Sequence, residues 1–292
     1  MSAVILRRPA PSLRRTKLLT TGLLALFLIY TLVPLLYLLI SSTKDEDGLF
    51  TTFGLWFAPH FHLWSNIVAV FTFQDGVFLQ WLLNTAFYSV TSAVGATLLA
   101  SAAGYAFAKY RFVGREFFFA MTLGAVMIPQ TALVIPLFLL MSKIGLVNTP
   151  WAVILPCLVN PFGVYLMRVY AEQSVPDDLI DAARIDGAGD ARIFTTIALR
   201  ILSPAVITVL LLSFVGTWNN YFLPLVMLES AHLFPLTVGL ADWYQTASAG
   251  EGGQAVFPLV LIGSLVSILP ICALFLAMQR FWQGGLATGS VK

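Results

Sequence analysis

Six windows of about 20 residues with almost no charge, each long enough to cross about 30 Å of hydrocarbon, decide what this chain can become. They fall at roughly 18–40, 82–108, 117–140, 151–170, 201–228 and 256–278. With 59% hydrophobic and 10% charged residues over 292 positions, the composition lies far from the about 45–50% apolar and about 25% charged of a globular chain. The windows predict an all-α membrane protein with six transmembrane helices. The first is longer than the about 7–15-residue core of a signal peptide and has no clear small-x-small site after it, so it reads as a retained helix.

Six spans put both termini on one side of the membrane. Of the 16 Lys and Arg residues, only Lys44 and Lys143 fall on the opposite side, where the loops carry Asp45, Glu46, Asp47, Asp75, Glu229, Asp242 and Glu251 instead. The positive-inside rule therefore predicts cytoplasmic termini and a cytoplasmic loop at 171–200. The net charge of +2 comes with no basic block of the kind that binds nucleic acid.

Cys157 and Cys272 lie inside predicted spans, where a thiol behaves as a small buried hydrophobe, and His60, His62 and His232 sit in outer loops without ligand spacing. No disulfide and no metal site is expected. The segment 41–81 is rich in aromatics (Trp56, Phe57, Phe61, Trp64, Phe71, Phe73) that suit the headgroup belt, and is expected to lie along the outer surface. Ala96, Ala100, Gly104 and Ala108 repeat every four residues, a face that lets helices approach closely, either as plain packing or as a surface that slides during gating. Prolines at 34, 129, 136, 156, 161, 204, 224 and 270 each remove a backbone donor and are expected to bend the spans that hold them, and Gln130 and Asn160 near the kinks either line a cavity or bond between helices.

All 14 Asp and Glu residues lie outside the predicted spans, which leaves no intramembrane carboxylate for proton or sodium coupling. The chain has no G-x-x-x-x-G-K-[ST] phosphate loop, and its glycine-rich tail from Gly284 to Gly289 lacks the required Lys. It is not expected to hydrolyse ATP or to hold a cofactor itself, and it shows no nucleophile–base or metal constellation of an enzyme.

The polar interruption at 171–200 is the segment most informative about function. Pro176 suits the start of a helix, and Asp177 and Asp178 follow in the first turn, where the positive end of the helix dipole favours them. Leu179, Ile180 and Ala183 form an apolar side, Asp181 and Arg184 are placed to meet, and Gly187 ends the helix. A second helix runs from about Gly189 through Ile193, Phe194 and Ile197 to Leu199, before Pro204 opens the next span. The adjacent alanines Ala182 and Ala183 would let a groove of another protein close around the backbone. The pattern fits a partner-docking knob, or else a loop packed beneath its own bundle.

The run Asp181-Ala182-Ala183-Arg184-Ile185-Asp186-Gly187-Ala188, followed by Ile193-Phe194 and Ile197-Ala198-Leu199, resembles the EAA loop of permease subunits of bacterial ABC importers. The resemblance continues in 109–115 (KYRFVGR), in 218–225 (WNNYFLPL) and in 285–292 (GLATGSVK), and together these look like the carbohydrate-uptake branch, the subunit type similar to the second maltose permease. It implies the type I importer permease fold, with a basic tail, first helix and outer loop at 1–79, a permease domain at 80–280 containing the loop, and a cytoplasmic tail at 281–292. It implies as partners a cytoplasmic ABC ATPase dimer, a second permease subunit, an extracytoplasmic sugar-binding protein and the lipid bilayer, with ATP used by the ATPase. The ATPase contacts would fall on Asp181, Ala182, Ala183, Asp186, Gly187 and Ala188. Two positions depart from the family pattern. Asp181 stands where Glu is usual, and Arg200 where Pro is common, so the second loop helix is expected to run unbroken into the fifth span.

Asn219, Asn220 and Tyr221 combine amides with an aromatic face and are candidates for the sugar path, although an outer aromatic belt would also explain Trp218 and Tyr221. The expected function is import of a sugar or oligosaccharide. The alternatives are another solute, such as a polyol or glycerol phosphate, and a membrane scaffold that transports nothing.

Overall fold

The computed structural model describes residues 13–249 and 256–288. Arg7, Arg8, Glu251 and the last four tail residues, Gly289 to Lys292, lie outside them. Helix α1 (Leu13–Ser41) is followed by a short α2 (Glu46–Thr51), α3 (Leu63–Thr72) and the long α4 (Val77–Lys109). None of the apolar window of α1 is buried by the rest of this chain.

The segment between α1 and α4 does more than line a surface. Lys44 is completely buried, and its Nζ donates to Thr52 Oγ1 and to the Phe53 carbonyl, both at 2.9 Å. Asn66 Nδ2 donates to the carbonyls of Ser42 at 3.0 Å and Lys44 at 2.9 Å, which ties α3 to the end of α1. Of the aromatics expected along the outer surface, Trp56, Phe57, Phe61 and Trp64 are exposed. Phe71 and Phe73 instead join a core with Phe78, Trp81 and Trp243. Between α3 and α4, Gln74, Asp75 and Gly76 all take positive φ (49°, 57° and 77°), which turns the chain within a few residues.

Helix α4 spans 33 residues, about 50 Å at ~1.5 Å per residue. Its small-residue face is a packing face. Ala96 and Ala100 are buried, and a Cβ on Gly104 would meet Met167 Cβ at 2.5 Å and the Val164 carbonyl at 2.8 Å. Only glycine allows the neighbouring helix to come so near.

The third predicted span, 117–140, is not one straight helix. Helix α5 (Arg115–Val126) and the following 3-10 turn with α6 (Val134–Lys143) are bent by 100°. Pro129 supplies the cause, since it has no N–H for a helical bond and restricts the residue before it. Gln130 lies exposed in the turn after this break. Helices α7 (Pro150–Cys157) and α8 (Pro161–Ser174) follow. Asn160, between them, caps α8 by accepting from the Gly163 amide at 2.8 Å and reaches the later helix Ser203–Trp218 by donating to Ser213 Oγ at 2.9 Å.

After α9 (Asp177–Ile185) come α10 (Asp190–Arg192), a π-helical turn (Ile193–Ala198), α11 (Leu199–Ile201) and α12 (Ser203–Trp218). The segment Asp190–Ile201 and α12 meet at 82°, so the loop helix does not run unbroken into the fifth span despite Arg200. Leu202, wholly buried, forms the corner, and Pro204 fits the first turn of the new helix. The fifth span also ends earlier than 228. It breaks after Trp218 and resumes as α13 (Phe222–Met227), followed by α14 (Leu236–Ser248) and α15 (Phe257–Thr288). Among the described residues, four helices are long and apolar enough to cross a membrane, or six if each bent pair is one span.

Candidate functional site

The loop folds as a knob closed at both ends by local chemistry. Val175 is buried and extended, Pro176 stands before the first turn with φ −67° and ψ 137°, and Asp177 and Asp178 occupy that turn. At the other end Gly187 takes φ 81°. The Gly187 amide donates to the Arg184 carbonyl at 3.0 Å and the Ala188 amide to the Ala183 carbonyl at 2.9 Å, the pair of bonds that closes a helix in a Schellman turn.

One face of α9 is anchored in the protein. Ile180 and Ala183 are buried among Met167, Ala171, Ile193, Ala198 and Leu202, with Phe194 and Ile197 packed alongside. The π-helical turn brings Ile193 and Ala198 onto this core together, and Phe194 reaches Tyr105 of α4 at 5.2 Å. The opposite face is open. Asp181, Ala182, Asp186 and Gly187 are exposed, and Ile185 is 87% exposed.

The six residues expected to contact a partner therefore divide. Asp181, Ala182, Asp186 and Gly187 face outward, whereas Ala183 turns inward and Ala188 packs partly against the core. Leu179, expected on the apolar side with Ile180, is 40% exposed. Sequence reasoning missed Ile185. The available signal was phase: at 100° per residue, Ile185 lies opposite Ala183, and an apolar residue out of step with a buried stripe has no partner within its own chain.

Charge ties the knob to the bundle. Lys109, the last residue of α4, holds Asp177 at 2.7 Å, and this hydrogen bond lowers the Asp177 pKa below its ordinary value. Arg184 pairs with Asp190 at 3.2 Å and Asp181 at 3.5 Å, and its pKa is raised, chiefly by the bond to Asp190. The Tyr110 phenol is also raised, first by burial and then by Asp190. These carboxylates are largely exposed, so their pairs orient the knob more than they stabilise it.

The second candidate locus lies at the far end of α12, whose 16 residues span about 24 Å. Trp218 is not in a solvent-facing belt; it is 4% exposed and stacks on Phe214 at 5.3 Å. Asn219 is exposed, and its amide donates back to the Val215 carbonyl at 2.9 Å. Asn220 Oδ1 accepts from the Leu223 amide at 3.3 Å, its side-chain amide lies 3.8 Å from Cys157 Sγ, and its carbonyl accepts from Thr237 Oγ1 at 2.8 Å. Tyr221 is 37% exposed. Asn219 and Tyr221 thus present free surface at the helix break, while Asn220 holds the break together. The thiols also separate, with Cys157 partly buried and Cys272 exposed. Among the described residues, no group of three or more His, Cys, Asp or Glu is placed to hold a metal ion.

Residues 96–284 match the family model described as binding-protein-dependent transport system inner membrane component. The chain belongs to this family. Its members are transport permease subunits, so the chain is a multi-pass membrane protein built for transport. It is 38% identical over 276 residues to the arabinooligosaccharides transport system permease protein AraQ of Halalkalibacterium halodurans, covering 94% of this chain and 96% of that one. It is 32% identical over 291 residues to the lactose transport system permease protein LacG of Rhizobium radiobacter, covering 98% of each. The fold matches a crystal structure of a bacterial ABC transporter involved in the import of the acidic polysaccharide alginate. The TM-score is 0.80 at 24% identity, over 94% of this chain and 99% of that one. The architecture is that of a type I ABC importer permease.

Proposed function

We propose that this chain is the permease subunit through which a bacterial importer moves a sugar or oligosaccharide across the cell membrane. It forms one half of the pore beside a second permease subunit, with both termini and the α9 knob in the cytoplasm. A binding protein delivers the sugar from outside, and a cytoplasmic ABC ATPase dimer uses ATP and grips the knob. Relatives named for arabinooligosaccharides and lactose transport support the choice of solute.

The observation that carries the coupling role is the division of α9. Ile180 and Ala183 fix it to α4, α8 and α12, while Ile185 stands 87% exposed beside Asp181, Ala182 and Asp186. A helix locked on one face and open on the other transmits force as a rigid body. ATP binding can favour one permease state only through contacts that differ between states, and the open face of α9 supplies them. At the other end, Asn219 and Tyr221 line the sugar path.

Mass spectrometry of what co-purifies with the chain in mild detergent from its native membrane tests this reading. An ATPase, a second permease and an extracytoplasmic binding protein are expected. Recovery of the chain alone under gentle conditions overturns it.

A further inference from the structure

A second cluster of charge lies on the same end of the bundle as α9 and plays no part in the docking face. The turn between α4 and α5 carries a shallow, largely open depression of about 400 Å³ lined by Arg111, Phe112, Gly114, Arg115, Glu116 and Phe117. Helices on both sides are apolar, so the turn sits where the bilayer meets water.

Two guanidiniums face the depression against one carboxylate. That carboxylate is already engaged, because Glu116 is held by Arg115 at 2.8 Å and by Arg168 of α8 at 3.3 Å. Arg168 is itself set by Glu172 at 2.8 Å and by stacking 3.9 Å over Phe119. Arg111 is exposed and makes no hydrogen bond or ion pair among the described residues, although its charge contributes weakly at Asp177. Arg115 keeps donors beyond those given to Glu116. A planar guanidinium with open donors is the group best matched to phosphate oxygens.

The surroundings say what kind of phosphate. Val113 at the tip of the turn is 97% exposed, and Phe117 and Phe118 are 65% and 52% exposed. An apolar rim around a basic depression suits a ligand that is anionic at one end and hydrocarbon at the other. We propose that this depression binds the phosphate of an anionic membrane phospholipid, with Arg111 and Arg115 on the headgroup and Val113 and Phe117 against the acyl chains. The site requires only that the chain resides in a membrane, and is independent of the solute and of the ATPase contact.

The test is native mass spectrometry of the delipidated full-length chain, titrated with phosphatidylglycerol or phosphatidylcholine. Phosphatidylglycerol should be retained in preference, and less so at high salt. Arg111→Gln should reduce its retention about five-fold, the worth of one basic residue at an anionic surface. Arg111 has no bond within the described chain to lose, so this variant should fold, and Arg192→Gln on the knob serves as the control that leaves retention unchanged. Equal retention of the two lipids, or unchanged retention by Arg111→Gln, overturns the proposal. Displacement of the lipid by millimolar inorganic phosphate would assign the depression to a soluble anion and overturn the lipid as its ligand.

Discussion

The Ala188 amide donates to the Ala183 carbonyl at 2.9 Å across the turn that ends α9, with Gly187 between them at φ 81°. One bond thus joins a residue buried in the bundle to the last residue of the run that resembles an EAA loop. The turn depends on a left-handed backbone at Gly187, and a Cβ there would meet nothing within 4 Å. The requirement is conformational and does not come from crowding.

Gly187→Val should therefore cost about 1–2 kcal/mol of local strain, more than Gly187→Asn, which tolerates this region. The expected phenotype in the reconstituted transporter is ATP hydrolysis without matching uptake, because the knob is misaimed while the pore is intact. Normal uptake by the valine variant would remove α9 from the coupling path.

Ile180 and Ile185 make a paired test of the two faces. Ile180→Ala empties a buried site and should lower stability by about 2–5 kcal/mol, read as an earlier thermal transition in detergent. Ile185→Asp lies on open surface and should leave that transition in place while weakening ATPase association by ~2 kcal/mol, roughly thirtyfold. If Ile185→Asp co-purifies with the ATPase as well as the parent chain does, the docking face lies elsewhere.

Much of the fold was legible because hydrocarbon leaves a strong mark. A charge-free window announces a membrane helix whatever its neighbours are, and the start and stop of α9 followed from Asp177, Asp178 and Gly187 by local rules. Failures came where the outcome depended on tertiary packing. Pro129 signals a bend, but nothing near it says that the bend reaches 100°. Trp218 at the end of an apolar helix reads the same whether it faces headgroups or Phe214. Arg200 promised a continuous helix because it lacks the breaker usual there, yet the corner forms at Leu202, drawn into the core that also holds Ile180.

Lys109 and Asp177 supply a pH test. The hydrogen bond at 2.7 Å lowers the Asp177 pKa in the folded state, so the pair's contribution is present above the unfolded value of about 3.9 and is lost as pH falls through the folded value. Lys109→Gln should flatten that acid-side loss, and salt should weaken it in the parent chain because Asp177 is exposed. The thermal transition followed from neutral to acid pH at low and high salt measures both effects. An identical acid slope in the variant would mean that Asp177 gains nothing from Lys109.

Asn219 and Asn220 separate path from scaffold. Asn220 accepts from the Leu223 amide and lies against Cys157, so Asn220→Ala should destabilise the chain by about 1 kcal/mol, the worth of an ordinary buried hydrogen bond. Asn219 returns its amide to its own helix at Val215 and is otherwise open, so Asn219→Ala should leave the thermal transition in place and reduce sugar flux. Uptake kinetics in proteoliposomes across several sugars, compared with thermal unfolding of both variants, distinguish the roles. Unaltered kinetics for Asn219→Ala would leave this residue with only its bond to Val215 and move the sugar path away from the break between α12 and α13.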